Sequence, residues 1–258
     1  MSNTSPLVDD IRIELMTTLE IGEHLAAGRT TIVVPCGAIE QHGPHLPICM
    51  DRDHAECLGA RLALRLRNAL VAPTLPVGCS SHHLSFAGTI SISDETFEAV
   101  CRDYCTSLAR HGFEKIIFIS GHIGNFPVLA RILPRLQAAV PEGCEVEAFT
   151  DSTAWLETWR STVIAAGGNG TSVGGHADIA ETSVMLVLRP DRTHLDRAAA
   201  GLIGLMNQDE LAAMWRDGLG SVSPNGILGD ARGSTAAIGE RCIDAITDLL
   251  ARQFTRDT

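Results

Sequence analysis

The greatest concentration of reactive side chains lies at residues 35–51, which read Pro-Cys-Gly-Ala-Ile-Glu-Gln-His-Gly-Pro-His-Leu-Pro-Ile-Cys-Met-Asp. Glu40 and His42 are two apart, so an extended backbone turns both side chains to one face. Gly43, Pro44 and Pro47 then interrupt regular structure, and the chain can fold back to bring Asp51 beside them. An imidazole flanked by two carboxylates suits a divalent metal held by nitrogen and oxygen, Zn²⁺ or Mn²⁺. Two later segments offer the same ligand types: His122, inside Gly-His-Ile-Gly-Asn at 121–125, and the pair His176 and Glu181.

Taken singly, such residues are ordinarily helix caps, turn formers or solvated side chains. Glu-x-His with a downstream Asp, together with Gly-His-x-Gly-Asn directly after an apolar run, is not explained by packing. His45, His54, His82 and His194 keep the ordinary reading, whereas His83 is expected to line the site. Other chemistries find no support. Ser80, Ser81 and Ser120 have histidines nearby but no Gly-x-Ser-x-Gly elbow, and the glycine-rich stretches lack the Gly-Lys-Ser/Thr ending of a phosphate loop. The eight cysteines contain no Cys-x-x-Cys pair and read as reduced core residues.

For these groups to meet, the elements between them must form a layered scaffold. Residues 31–36 and the Ile-Ile-Phe-Ile run within 115–120 read as buried strands, joined by shorter strands at 71–75 and 145–150. Helices are expected over 53–68, from Ser93 or Asp94 to about His111, beyond Pro127, over 153–165, 178–188 and 209–217, and at the end of the chain. Residues 11–27 read as strand then helix. This β-α-β-α-β alternation predicts one α/β domain over residues 1–258, a three-layer α/β/α fold with a mostly parallel central sheet. The ligand crevice of such a sheet lies outside the carboxyl ends of its strands, which is where Glu40, His42, Asp51 and His122 fall. Residues 167–175 hold five glycines and are expected to form a loop.

Composition narrows the partners. With 31 acidic against 20 basic residues the formal charge is −11, which disfavours nucleic acid and anionic membranes. No apolar run approaches the roughly 20 residues of a spanning helix, and the N-terminal residues lack a basic start and an apolar segment. A cytoplasmic location is expected, with a small molecule or another protein as partner.

These segments resemble the creatininase (creatinine amidohydrolase) family along nearly the whole chain. Glu-Gln-His-Gly-Pro-His-Leu-Pro at 40–47, followed by Asp51, is similar to its most distinctive signature. Residues 85–91 resemble its Phe-Pro-Gly-Thr loop, with Ala87 in place of proline; 120–125 resemble Asn-Gly-His-Gly-Gly-Asn; 176–183 resemble His-Ala-Gly-x-x-Glu-Thr-Ser; and 226–230 resemble Gly-x-x-Gly-Asp. The resemblance implies a homo-oligomer, commonly a hexamer. It also implies two divalent metals per subunit, Zn²⁺ and/or Mn²⁺ with Fe²⁺ also suited, that hydrolyse an amide-type C–N bond of a small molecule. Carried over by position, Glu40, His42, Asp51, His122 and Glu181 are the metal ligands, with Asp51 as the bridge.

Proton transfer falls to His176, or else to Glu181. Substrate contacts are expected from Ser80, His83, Trp155 and Gly175, although Trp155 and Trp159 at helical spacing read first as a packing face. The 167–175 segment is expected to be a lid. Two positions depart from creatininase itself, which has glutamate where this chain has Gly124 and Gly175. Both departures weigh against creatinine as the substrate. Cyclic amide opening, deformylation and peptide trimming stay open, as does a non-catalytic protein stapled by its metal.

Overall fold

The computed structural model describes residues 10–204 and 206–255. Its centre is a parallel sheet of four strands, Thr31–Cys36 (β1), Ala69–Val71 (β2), Lys115–Ser120 (β3) and Glu145–Ala148 (β4), in the order β2-β1-β3-β4. The β-branched and apolar runs take the middle: every residue of β1 is buried, as is every residue of β3 after Lys115. Chain order reverses between β1 and β3, so right-handed crossovers send the connections that leave them to opposite faces. A crevice opens between their carboxyl ends, where Cys36 pairs with Ser120.

Eight α-helices surround the sheet among the described residues. Thr18–Ala26 (α1) precedes it, and Met50–Leu66 (α2) packs on β1 and β2. Asp94–Arg110 (α3) and Phe126–Ala138 (α4) pack on one another, α4 also against β4. Ser152–Ala165 (α5), Ile179–Leu188 (α6) and Ala236–Phe254 (α8) assemble with α2, whereas Gln208–Asp217 (α7) lies apart from the main core. Spacing explains the packing. In α3, Phe97, Cys101, Cys105 and Leu108 recur every three or four residues and are all buried, and Ser93 caps the helix by accepting from the Thr96 amide. In α8 the same stripe is Ile238, Cys242, Ile246 and Leu250. The three layers and the parallel sheet are those expected from the sequence, and no helix among the described residues is long and apolar enough to cross a membrane.

Four local expectations are corrected. The first helix after β1 begins at Met50, not 53, which places Asp51 in its first turn, where the helix dipole favours a carboxylate. The strand expected at 71–75 is Ala69–Val71, because Pro73 has no N–H to continue the ladder. Residues 11–16 give one bridge, Arg12 to Val71, and a 3₁₀ turn instead of a strand, before the Thr17–Glu20 capping box opens α1. The glycine-rich segment ends in a strand, Val173–His176 (β5), paired antiparallel with Leu228–Gly229 (β6).

Helix α2 approaches the sheet closely because Gly121 has no side chain; a Cβ there would meet the Asp51 carbonyl oxygen at 2.4 Å. Further along α2, His54 is fully buried beside Trp155 and Trp159 of α5, with ring centroids 5.9 and 5.8 Å away. Neither imidazole nitrogen has a hydrogen-bond partner, and burial pushes the pKa down to about 3. Because the folded pKa lies below the unfolded value of ~6.5, this histidine's contribution to stability is complete above ~6.5 and is lost as the pH falls toward about 3. The slope is about 1.4 kcal/mol per pH unit. Urea unfolding of a His54→Leu variant is therefore expected to lose about 2 kcal/mol less than the parent between pH 6.5 and 5. Equal losses in the two proteins would contradict the assignment.

Candidate metal centre

Glu40 and His42 lie on the segment that leaves β1, Asp51 in the first turn of α2, His122 just past β3, His176 at the end of β5 and Glu181 in the first turn of α6. All are buried, and they fall into overlapping groups. Ligand-type atoms of Glu40, Asp51 and His122 lie within 4.8 Å of one another, as do those of His42, Asp51 and Glu181. Asp51 belongs to both sets. A third grouping joins Glu40, His42 and His176.

Hydrogen-bond partners fix the imidazole protons. His42 Nδ1 faces the Glu40 backbone carbonyl at 3.1 Å, His122 Nε2 the Cys79 carbonyl at 3.2 Å, and His176 Nε2 the Gln41 carbonyl at 2.8 Å. A carbonyl oxygen only accepts, so each of these nitrogens donates and the other one is unprotonated. Those bare nitrogens face carboxylate oxygens: His42 Nε2 lies 3.1 Å from Asp51 Oδ1 and 3.5 Å from Glu181 Oε2, His122 Nδ1 3.4 Å from Asp51 Oδ2, and His176 Nδ1 3.5 Å from Glu40 Oε1. In these four contacts acceptor faces acceptor with no proton between them, although the protonated His122 Nε2 also lies 3.3 Å from Glu40 Oε2. Both Glu40 oxygens and Asp51 Oδ2 are buried with no hydrogen-bond partner. Such atoms lack only a cation, and a histidine that donates one nitrogen to a carbonyl while presenting the other is arranged as metal-binding histidines are. The residues fit divalent metal.

The electrostatics agree. Burial, with the nearby Asp51 charge as a second cause, holds Glu40 well above the usual carboxylate range, and burial raises Asp51 and Glu181 likewise. Burial also pushes His122 down to about 3 and His176 well below its ordinary value, helped by neighbouring imidazoles. Without cations the cluster is driven to discharge itself.

Two residues not singled out in the sequence hold this arrangement. Asp178, wholly buried at the N-cap of α6, accepts from the amides of Gly174, Gly175, Ala180 and Glu181 at 2.8–3.1 Å. It clamps the turn that carries His176 and Glu181, and the intervening Ala177 takes φ = 51°, a strained value for a residue with a Cβ. The Ala177 amide donates to Glu181 Oε2 at 2.5 Å. Gln41 accepts from the Gly43 amide, and its side-chain nitrogen lies 3.0 Å from the Gly226 carbonyl, 3.0 Å from His83 Nδ1 and 2.9 Å from His176 Nε2. Its two protons go to the carbonyl and to His83, because His176 Nε2 donates its own to the Gln41 backbone carbonyl. His83 Nδ1 therefore accepts, and its proton sits on Nε2, 3.4 Å from Glu40 Oε1. Gly124 lies against the His122 ring: a Cβ would meet Nε2 at 2.3 Å, so a glutamate here requires His122 to move.

A cavity of about 400 Å³ opens onto the cluster. His83 and Gly175 line it, as expected, and so do Glu40, His122, His176 and Glu181. Ser80 does not; it is wholly buried beside Glu40. Trp155 does not either, because it is packed against Phe126, Phe149 and Trp159 in the core, and its neighbour Leu156 faces the cavity instead. The aromatic residue at the mouth is Trp215 of α7, whose ring lies 4.6 Å from that of His82. Of the 167–175 segment only Gly174 and Gly175 line the cavity, whereas residues 206–215 contribute Met206, Leu211, Met214 and Trp215. Gln41 sits inside the signature, between two expected ligands, and its position alone pointed to it; for Trp215 the sequence offers no such signal.

A family model described as "Creatininase: Creatinine amidohydrolase" matches residues 14–254. A mycofactocin precursor peptide peptidase of Mycobacterium ulcerans (strain Agy99) is 33% identical over 236 residues, covering 88% of this chain and 86% of the relative. The creatinine amidohydrolase of Pseudomonas putida is 28% identical over 203 residues, 70% of this chain and 73% of its own length. A solved structure titled "Creatininase Mn" shares the fold, with a TM-score of 0.76, 24% identity, and coverage of 95% of this chain and 99% of the other. The family match and the relatives define a metal-dependent hydrolase that acts on C–N bonds. The chain belongs to the creatininase family.

Asp51→Ala removes the only residue common to both ligand sets. It is expected to lose both metals together, read by elemental analysis; an Asp51→Ala protein with full metal content would contradict its shared role. Asp178→Asn keeps the size of the clamp but not its charge, and metal affinity is expected to fall about 10- to 100-fold with the fold intact. Unchanged affinity in a titration would show that the clamp does not position the ligands.

Proposed function

We propose that the protein is a two-metal amidohydrolase that cleaves a peptide-type amide. The observation that carries this reading is the set of bare imidazole nitrogens turned toward buried carboxylate oxygens beside a cavity. Glu40, Asp51 and His122 would hold one ion, and His42, Asp51 and Glu181 the other, with Asp51 between them. Zn²⁺ and Mn²⁺ both suit these donors, Fe²⁺ as well, and the titles of solved creatininases name manganese in one case and a Zn-Zn type in another. Bound there, the ions make water nucleophilic near neutral pH and polarise the substrate carbonyl.

The remaining steps belong to the chain. His176 is fixed through its Nε2–H, and its unprotonated Nδ1 points into the site. It is therefore set to take the proton from the attacking water and pass it to the departing nitrogen. Glu181 is the poorer candidate, being tied to the Ala177 amide and close to His42. His83, kept neutral because burial lowers its pKa, presents its Nε2–H to the substrate carbonyl as charge develops there.

Peptide trimming is favoured over creatinine opening by two observations. The cavity's 400 Å³ falls in the range of pockets for drug-sized ligands, and relatives that are 33% identical over 88% of this chain are named as mycofactocin precursor peptide peptidases. Gly124 and Gly175, where creatininase has glutamates, point the same way. The same reading makes the chain one working domain in the cytoplasm, assembled as a homo-oligomer, a hexamer by family resemblance.

The test is a hydrolysis screen of the Zn²⁺- or Mn²⁺-reconstituted protein on short peptides, lactams including creatinine, and formamides. Short peptides are expected to show the highest kcat/KM, and turnover of creatinine alone would overturn the peptide reading. His176→Asn should lower kcat by about 10²- to 10⁴-fold at unchanged metal content. A kcat within a few-fold of the parent's would remove His176 from proton transfer. Chelation should leave far-UV circular dichroism intact while abolishing turnover; unfolding on chelation would favour a structural staple.

A further inference from the structure

The cavity's lining is of two chemical kinds: the carboxylates and imidazoles of the metal centre, and an apolar set made by Phe126 and Pro127 of α4, Leu156 of α5, and Leu211, Met214 and Trp215 of α7, of which Leu211 and Trp215 are exposed. Among the described residues no lysine or arginine lines it, and the only carboxylates are Glu40 and Glu181. Trp215 is 50% exposed, a large apolar ring left open at the mouth, with one edge on the buried His82. Met206 and Met214, whose thioethers pack well on aromatic edges, sit close by.

We propose that this apolar set forms a recognition pocket for a bulky, uncharged aromatic side group beside the scissile amide, and that Trp215, with Leu156 and Met214, selects it. The proposal rests on the amidohydrolase reading and names its substrate class. A charged side group entering here would lose its water and find no partner, since both lining carboxylates are committed at the metal centre. A glycine would leave the apolar walls and the open face of Trp215 uncovered. An aromatic ring covers them, and stacking adds to the area it buries. The cap helix α7 is amphipathic, with only Met214 fully buried, so a change at Trp215 alters the mouth and not the core.

The test uses capped tetrapeptides that differ only at the residue on either side of the central bond, bearing Phe, Gly, Asp or Lys. Hydrolysis and calorimetric binding are both measured for the metal-loaded parent, Trp215→Ala and Trp215→Phe. The Phe peptide is expected to exceed the others by at least about tenfold in both affinity and kcat/KM. Trp215→Ala should shrink that ratio to within about threefold, and Trp215→Phe should restore part of it. Equal affinities, a preference for a charged residue, or a ratio unmoved by Trp215→Ala would each overturn the pocket. Hydrolysis without aromatic preference defeats the pocket but not the amidohydrolase; aromatic-selective binding without hydrolysis of any peptide does the reverse.

Discussion

Asp51 is buried within reach of both Glu40 and Glu181, and the imidazole nitrogens that face Asp51 are the ones without protons. Two like charges ~5 Å apart at an effective dielectric of about 20 repel by roughly 3 kcal/mol, and burial adds a desolvation cost for each. Against a total stability of about 5–15 kcal/mol such a cluster cannot stay ionised unaided. Divalent cations would remove the conflict, because the three carboxylates and the bare nitrogens of His42 and His122 would become their ligands.

Much of the fold serves to impose that proximity. The reversal of strand order between β1 and β3 opens the crevice in which the β1 segment and His122 meet. Gly121 lets α2 come close enough to add Asp51, and the β5–α6 turn, clamped by Asp178 and strained at Ala177, folds His176 and Glu181 over the top. Backbone carbonyls of Glu40, Gln41 and Cys79 then orient the three rings. The metal-binding geometry is thus set mostly by main chain, which a mobile side-chain shell could not do as rigidly.

The scaffold, and which ionisable residues it brings together, were legible in the sequence for a physical reason. Buried strands announce themselves as β-branched apolar runs, and a parallel sheet puts the residues that follow those runs together. The extra turn at the start of α2 and the shortened β2 were not legible, since they depend on where Asp51 must sit and on Pro73 meeting a ladder. Trp155 shows the limit more sharply. Its helical spacing with Trp159 is equally compatible with core and cavity, and only tertiary packing decides that Leu156 faces the cavity while Trp155 meets His54. The mouth belongs to Trp215, on a helix whose sequence shows an acidic, amphipathic surface element and nothing of what it covers.

The claim beneath all of this is that the cluster is built for two cations sharing Asp51. Anomalous diffraction from crystals grown with Mn²⁺ or Zn²⁺ tests it most directly. The account predicts two peaks per chain, one bordered by Glu40, Asp51 and His122 and the other by His42, Asp51 and Glu181, with ligand distances of about 2.0–2.3 Å. A single peak, no peak, or ions bound away from these residues would contradict it.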